Sequence, residues 1–285
     1  MSLYVSTAWS EVEDNNLENI IETYAKNGIY NIELSGGVDY KENIIDILVK
    51  LKEKYGLNYI IHNYFPPPEE DFILNIASED EKNRNRSIKF IKDTIDLGEK
   101  IDALHYTFHA GYAKKLILAD EKYFKPTKGE IDWKQTYKYF YESIDILKNY
   151  AKNKIKLGIE NLFPYNEKEN YSIMCTLEEI EEFLLKYKNE ENIGLLIDLG
   201  HLNVAGNYMN FNPQSVLKYL ITNYKDQIFE FHISENDGRE DSHGPINNNS
   251  WQLDLIREYD LGNIPIVIEG RGLSFDLVKR INKII

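Results

Sequence analysis

The 285-residue sequence has a single cysteine, Cys175, which excludes an internal disulfide and any thiolate-rich metal site. It has no apolar run approaching a membrane span, and no N-terminal stretch joins a basic start to an apolar core. A soluble, cytoplasmic protein is expected. Basic residues are in deficit: 33 Lys and Arg against 47 Asp and Glu leave a net charge of −14. Nucleic-acid binders carry a basic face that neutralises phosphates, so nucleic acid is not an expected partner. A glycine-rich phosphate loop is missing too. The turn after the first apolar run reads Thr7-Ala8-Trp9-Ser10, which argues against a doubly wound open sheet, the structural runner-up. With no linker, low-complexity segment or internal break, residues 1–285 read as one domain.

What is present is an alternation. Short apolar runs at Leu3–Thr7, Tyr30–Leu34, Asn58–Asn63, Ala103–His109, Lys156–Glu160, Gly194–Asp198, Ile228–Ile233 and Ile264–Glu269 have strand character. Between them lie helical patterns at Leu17–Lys26, Lys41–Tyr55, Glu81–Leu97, Trp133–Lys152, Thr176–Tyr187, Pro213–Tyr224, Ser250–Tyr259 and Ser274–Ile284. Thr176 stands at capping-box spacing from Glu179, and Gly28, Gly56 and Gly98 read as helix stops. Eight strand–helix repeats in a chain of this length predict an α/β fold, a (β/α)8 TIM barrel.

The ionisable residues fall at the strand ends. His62 closes strand three, His109 strand four, Glu160 strand five, Asp198 strand six, His232 strand seven and Glu269 strand eight. His201 follows in the loop after Asp198, and the polar loop after His232 presents Asp241 and His243 two residues apart. In a barrel all these carboxyl ends converge on one mouth. Four carboxylates would then share a pocket, each close pair costing up to about 4 kcal/mol at an effective dielectric of about 20. A bound cation is the simplest compensation, and imidazole with carboxylate suits zinc, manganese or iron.

In that order and at those strand ends, several pieces resemble the xylose isomerase-like barrel superfamily, in the branch shared by endonuclease IV and the sugar-phosphate isomerases and epimerases. They are Ile32-Glu33-Leu34, His62 with Leu74-Asn75-Ile76-Ala77, Phe108-His109-Ala110-Gly111, Ile159-Glu160-Asn161, Asp198-Leu199-Gly200-His201, His232 through His243, and Ile268-Glu269. The resemblance implies up to nine metal ligands of the nuclease type: His62, His109, Glu160, Asp198, His201, His232, Asp241, His243 and Glu269. In the epimerase type it implies one divalent ion at Glu160, Asp198, His232 and Glu269, with both glutamates moving the proton. Two departures stand out. Gly244-Pro245-Ile246 follows His243 in place of a Gly-x-Gly turn, and the segment after His62 ends in Glu69-Glu70-Asp71 rather than basic residues.

The expected function is therefore a metal-dependent isomerase or epimerase of a small sugar or sugar phosphate, using one to three ions of zinc, manganese, magnesium or cobalt. Glu160 and Glu269 would take and return a proton through an enediolate. A metal-dependent phosphodiesterase of the abasic-site endonuclease type is the alternative enzyme, and a non-catalytic sugar-binding barrel the alternative outside catalysis. Substrate contacts are expected from Glu33, which reads either as a sugar-hydroxyl partner or as solvated at the mouth, and from Trp9, Arg239 and Arg271. His105 reads as a barrel-interior histidine partnered by Glu230, and Lys114, Lys115, Lys125 and Lys128 as a solvated basic loop.

Overall fold

A computed structural model describes residues 2–9, 12, 15–119, 123–166, 168–259 and 261–284. Its strands are β1 (Ser2–Ser6), β2 (Asn31–Leu34), β3 (Asn58–His62), β4 (His105–His109), β5 (Leu116–Ala119), β6 (Tyr123–Pro126), β7 (Lys156–Glu160), β8 (Ile193–Asp198), β9 (Ile228–Ile233) and β10 (Pro265–Ile268). Eight of them close a barrel in the order β1-β10-β9-β8-β7-β4-β3-β2, while β5 and β6 form a separate antiparallel pair. Every barrel pairing is parallel, and closure runs through Val5↔Ile32 and Ser6↔Glu33.

The helices are α1 (Leu17–Lys26), α2 (Ile44–Tyr55), α3 (Glu81–Lys100), α4 (Trp133–Ala151), α5 (Leu177–Lys186), α6 (Leu199–Met209), α7 (Pro213–Tyr224), α8 (Trp251–Glu258) and α9 (Phe275–Asn282). Short polar side chains cap their starts. Asn16, Asp80 and Asn212 accept main-chain N–H groups, and Thr176 with Glu179 forms the reciprocal capping box. Each helix turns an apolar stripe inward, with Ile20, Ile21, Leu48, Ile91, Phe140, Leu147, Phe183 and Leu220 fully or almost fully buried. A separate small cluster, Tyr4, Ile60 and Val267, comes from β1, β3 and β10 and fills the barrel interior.

Three expectations need correction. Gly98 does not end a helix; it lies inside α3, where an added Cβ would sit 2.6 Å from Ile155 Cδ1. Close helix-to-barrel packing, not a stop, is what it provides. His201 is not in a loop but in the first turn of α6, because Asp198 caps that helix directly from the end of β8. The basic stretch after β4 is not all loop, since it contains the β5–β6 hairpin, and Lys115 pairs with Asp80 at 2.9 Å. No described helix is long and apolar enough to cross a membrane.

Candidate functional site

Strand ends build the site. His62, His109, Glu160 and Asp198 are the last residues of β3, β4, β7 and β8; His232 is the last but one of β9, and Glu269 directly follows β10. Asp241 and His243 arrive on the loop after β9, which is pinched shut by main-chain bonds between Glu235 and Gly244 at 3.0 and 2.6 Å. A side chain on Gly244 would meet the Glu235 carbonyl at 2.8 Å, so this close approach needs glycine. Asn236 ties the same loop to α6, donating to the Gly200 carbonyl and accepting from Asn203 at 2.8 Å.

The nine strand-end and loop residues converge. Glu160 Oε2 lies 3.3 Å from His109 Nε2 and 3.6 Å from His62 Nε2, and Glu160 Oε1 lies 3.1 Å from His201 Nδ1. Asp241 Oδ2 sits between His243 Nε2 at 2.7 Å and His201 Nε2 at 3.3 Å. His232 Nδ1 faces Glu269 Oε2 at 2.9 Å and Asp198 Oδ2 at 3.7 Å. Potential ligand atoms fall within 4.8 Å of one another in each of the groups His62–His109–Glu160, Glu160–Asp198–His201, Asp198–His232–Glu269 and Glu33–His62–His232. His109, Asp241 and His243 are half-buried and face the opening, whereas the other six are buried.

Crowding shows in the proton affinities. Burial, opposed by His201 and reinforced by Asp241, Glu160 and Glu269, pushes the Asp198 carboxyl up to about 6. Burial likewise pushes Glu33 up to about 8 against the pull of His232. Burial lowers His62, and lowers His109 to about 4, keeping both imidazoles neutral. His243 moves the other way: burial lowers it, but the hydrogen bond to Asp241 and the charge of Glu269 bring it up to about 9. For Glu269, burial raises the carboxyl but His232 holds it at about 2; for Glu160, His109, His62 and His201 outweigh burial and hold it below its usual range.

Whether the residues fit a cation is answered by their orphaned oxygens. Among the described residues, no hydrogen-bond donor is aligned with Glu160 Oε2, Asp198 Oδ2, Asp241 Oδ1 or either oxygen of Glu33, although all are buried. Such oxygens are costly unless something positive meets them. The histidines are also set up as ligands from behind. The Nδ1 atoms of His201 and His243 face the main-chain oxygens of Asn161 (2.9 Å) and Glu269 (3.1 Å), which only accept, so each Nδ1 carries a proton and each Nε2 is turned toward Asp241 Oδ2. His62 Nδ1 meets Thr107 Oγ1 at 3.0 Å and His109 Nδ1 meets Tyr112 Oη at 3.4 Å. The donor set fits a divalent ion.

The profile of a family described as the xylose isomerase-like TIM barrel matches residues 21–272. The chain belongs to that family. An uncharacterized protein of Methanocaldococcus jannaschii is 27% identical over 270 residues, covering 90% of this chain and 88% of its own length. Among solved structures, a D-tagatose 3-epimerase-like protein superposes with TM-score 0.74 at 21% identity, covering 100% of this chain and 98% of its own. A 3-keto-D-glucoside 4-epimerase from E. coli gives 0.71 at 13% identity, with 99% of each chain covered. A D-psicose 3-epimerase from Clostridium cellulolyticum H10 gives 0.68 at 18% identity, covering 99% of this chain and 89% of its own. At these identities the likeness shows the shared fold.

In this xylose isomerase-like barrel the remaining sequence candidates are placed unequally. Glu33 is not solvated at the mouth; it is fully buried within β2, 2.8 Å from His232 Nε2. Trp9 closes a short 3-10 turn, Thr7–Trp9, and its side chain lies outside the described residues. Arg239 and Arg271 are exposed on the loops after β9 and β10, and Arg271 N donates to the His243 carbonyl at 2.6 Å. Supporting residues had no assigned role. Asn161 receives Asp198 N at 2.8 Å and donates to Asp198 O at 3.1 Å, tying β7 to β8. Thr107, two residues before His109 on the same strand face, was open to discovery by alternation alone. Phe163 packs against His201 with ring centroids 4.8 Å apart and planes tilted by 52°, a contact with no periodic signal.

Proposed function

We propose that this protein is a divalent-metal-dependent isomerase or epimerase of a small sugar or sugar phosphate, with Glu160 and Glu269 as its proton-transfer residues. The observation that carries the reading is the mouth cluster itself: nitrogen and oxygen donors without thiolate, buried, with orphaned carboxylate oxygens directed into it. The epimerase names borne by structural neighbours of the same fold add support.

Glu160, Asp198, His232 and Glu269 would hold one ion, and His62, His109, His201, Asp241 and His243 would hold up to two more, of zinc, manganese, magnesium or cobalt. A divalent ion there supplies a Lewis acid for a substrate carbonyl and its neighbouring hydroxyl. Glu160 and Glu269 are both held ionised by the histidines beside them, so each is competent to accept a proton from carbon. They enter from β7 and β10, which are separated in the barrel by β8 and β9, so they address the pocket from different sides. One glutamate removes the C–H proton to give the substrate enediolate, and the other returns a proton. Burial of Asp198, Glu160 and His232 keeps bulk water away from that exchange.

The test is solvent deuterium incorporation into a panel of ketoses and their phosphates. Wild type is expected to exchange the carbon-bound hydrogen of at least one, and Glu269→Gln, which keeps an oxygen for the ion, is expected to lose exchange while retaining metal. Exchange at the wild-type rate in Glu269→Gln sinks the two-glutamate mechanism. The alternative, a metal-dependent phosphodiesterase acting at abasic sites, draws on the convergence of His201, Asp241 and His243 beside the other ligands. The exposed Glu69, Glu70 and Asp71 would repel a phosphate backbone, so weak or absent binding to abasic duplex DNA is expected even at low salt. Tight binding with metal-dependent nicking would reverse the two readings.

A further inference from the structure

Beneath the mouth the barrel interior holds ionisable groups that the nine-residue set leaves over. Glu230 and His232 are two apart on β9, so both point inward. Glu230 Oε1 lies 3.0 Å from His232 Nε2, and Glu230 Oε2 lies 2.8 Å from His105 Nε2 on β4. Glu33 Oε2 approaches the same His232 nitrogen at 2.8 Å from β2. Glu33, Glu230 and His232 are 0% exposed and His105 is 2% exposed.

Ionised carboxylates only accept hydrogen bonds. Both ring nitrogens of His232 face a pair of carboxyl groups: Nε2 meets Glu33 and Glu230 at 2.8 and 3.0 Å in the interior, and Nδ1 meets Glu269 and Asp198 at 2.9 and 3.7 Å at the mouth. An ion can take only one of them, and a proton stays on the other; the closer pair is the interior one, at Nε2. His232 thus reverses the pattern of His62, His109, His201 and His243, which turn Nε2 toward Glu160 or Asp241 and set Nδ1 against a hydroxyl or main-chain oxygen, joined at His201 by Glu160 Oε1 at 3.1 Å. It also differs in the kind of support. A carboxylate behind an imidazole fixes its orientation and raises its basicity more than a carbonyl or hydroxyl does.

We propose that Glu230, braced by His105, is a positioning residue that pins His232 with its proton on Nε2 and Nδ1 toward the ion, making Asp198–His232–Glu269 the tightest divalent-ion site of the mouth. This rests on the metal-centre reading above. It competes with a lower position among Glu33, His62 and His232, whose donor atoms also lie within 4.8 Å of one another and which would use Nε2.

Two measurements on the full chain decide it. In zinc-loaded protein with 15N-labelled histidine rings, long-range proton–nitrogen spectra should show His232 metal-bound at Nδ1 and protonated at Nε2, with the peaks assigned by their loss in His232→Asn. Chelator competition should show Glu230→Leu weakening the tightest zinc about 10–100-fold. Glu230→Gln, which keeps an acceptor for Nε2–H, should recover much of that loss, and Thr107→Val, behind His62, should leave the tightest zinc unchanged. Metal-bound Nε2 on His232 overturns the proposal, as does an unchanged tightest site in Glu230→Leu or an equal loss in Thr107→Val. If Glu230→Leu fails to fold, the wild-type spectrum and Glu230→Gln still decide. Absence of any zinc binding by wild type overturns this proposal together with the metal-centre reading, whereas binding through Nε2 overturns this one alone.

Discussion

Asp198→Asn separates what the cluster costs the fold from what it offers an ion. Asp198 is fully buried, caps α6 by accepting His201 N–H at 2.6 Å, and leaves Oδ2 without an aligned donor. Its carboxyl is pushed from 3.8 up to about 6, chiefly by burial. At about 1.4 kcal/mol for each tenfold change in proton affinity, the ionised group costs the fold about 3 kcal/mol. The sign is that of a raised acid. The cost is absent below the ordinary carboxylate value of 3.8, grows as pH rises, and is fully in force above about 6. Asparagine caps a helix as well as aspartate does, so the variant keeps the cap and drops the charge. Without metal at pH 7.5, Asp198→Asn is expected to be about 1–3 kcal/mol more stable than wild type, a melting shift of about 2–4 °C per kcal/mol, and the gain should vanish near pH 4. With zinc at about 100 times its Kd, wild type should gain about 2.7 kcal/mol by mass action while the variant gains little. Denaturant titrations with chelator and with zinc, at both pH values, measure all four quantities. A variant clearly less stable than wild type in chelator at pH 7.5 would refute the crowding argument, and equal stabilisation of both proteins by zinc would remove Asp198 from the ligands.

Other perturbations probe the scaffold. A side chain on Gly200 would sit 2.7 Å from Ser234 Oγ and 3.0 Å from Asn236 Nδ2, so Gly200→Ala should push the β9 loop off α6 and reduce bound metal more than it reduces stability, read by metal analysis beside denaturation. Asn161→Ala removes both side-chain bonds to the Asp198 main chain and should cost about 2–3 kcal/mol in chemical denaturation. Because His243 is held up to about 9, zinc binding near neutral pH should release a proton from it. Calorimetry in buffers of different ionisation enthalpy should show that release shrinking as pH rises through about 9, and a pH-independent release would show that His243 gives up no proton to zinc.

The barrel and its mouth could be read from the chain because both rest on short-range signals. Apolar runs of strand length alternate with amphipathic helices, and a polar residue closing such a run must emerge at the strand end. That is how His62, His109, Glu160 and Asp198 were found. The pieces that escaped lack a period. Helix α6, Leu-Gly-His-Leu-Asn-Val-Ala-Gly, has no continuous polar face because it is buried nearly all round, and its two glycines read as breaks. Only the structure shows why Gly200 is there: Ser234, Asn236 and Asp198 leave no room for a Cβ.

The interior layer was hidden for a different reason. A carboxylate in the middle of a strand looks the same whether it faces solvent, a helix or the barrel axis, and alternation gives only its side. Glu33 and Glu230 share the inward side with His62, His105 and His232, yet their pairing depends on which strands stand opposite one another across the barrel. Glu230 on β9 meets His105 on β4, 125 residues earlier, and Glu33 on β2 meets His232. Contacts of that range follow from closure of the barrel, not from neighbouring sequence. The residues that touch no solvent are thus the ones that set which nitrogen of His232 faces the mouth, so the interior and the opening act as one electrostatic unit. On this account His105→Gln, although far below the opening, is expected to weaken metal binding measurably by loosening Glu230. A His105→Gln variant with wild-type zinc affinity would show that Glu230 holds its place without that support.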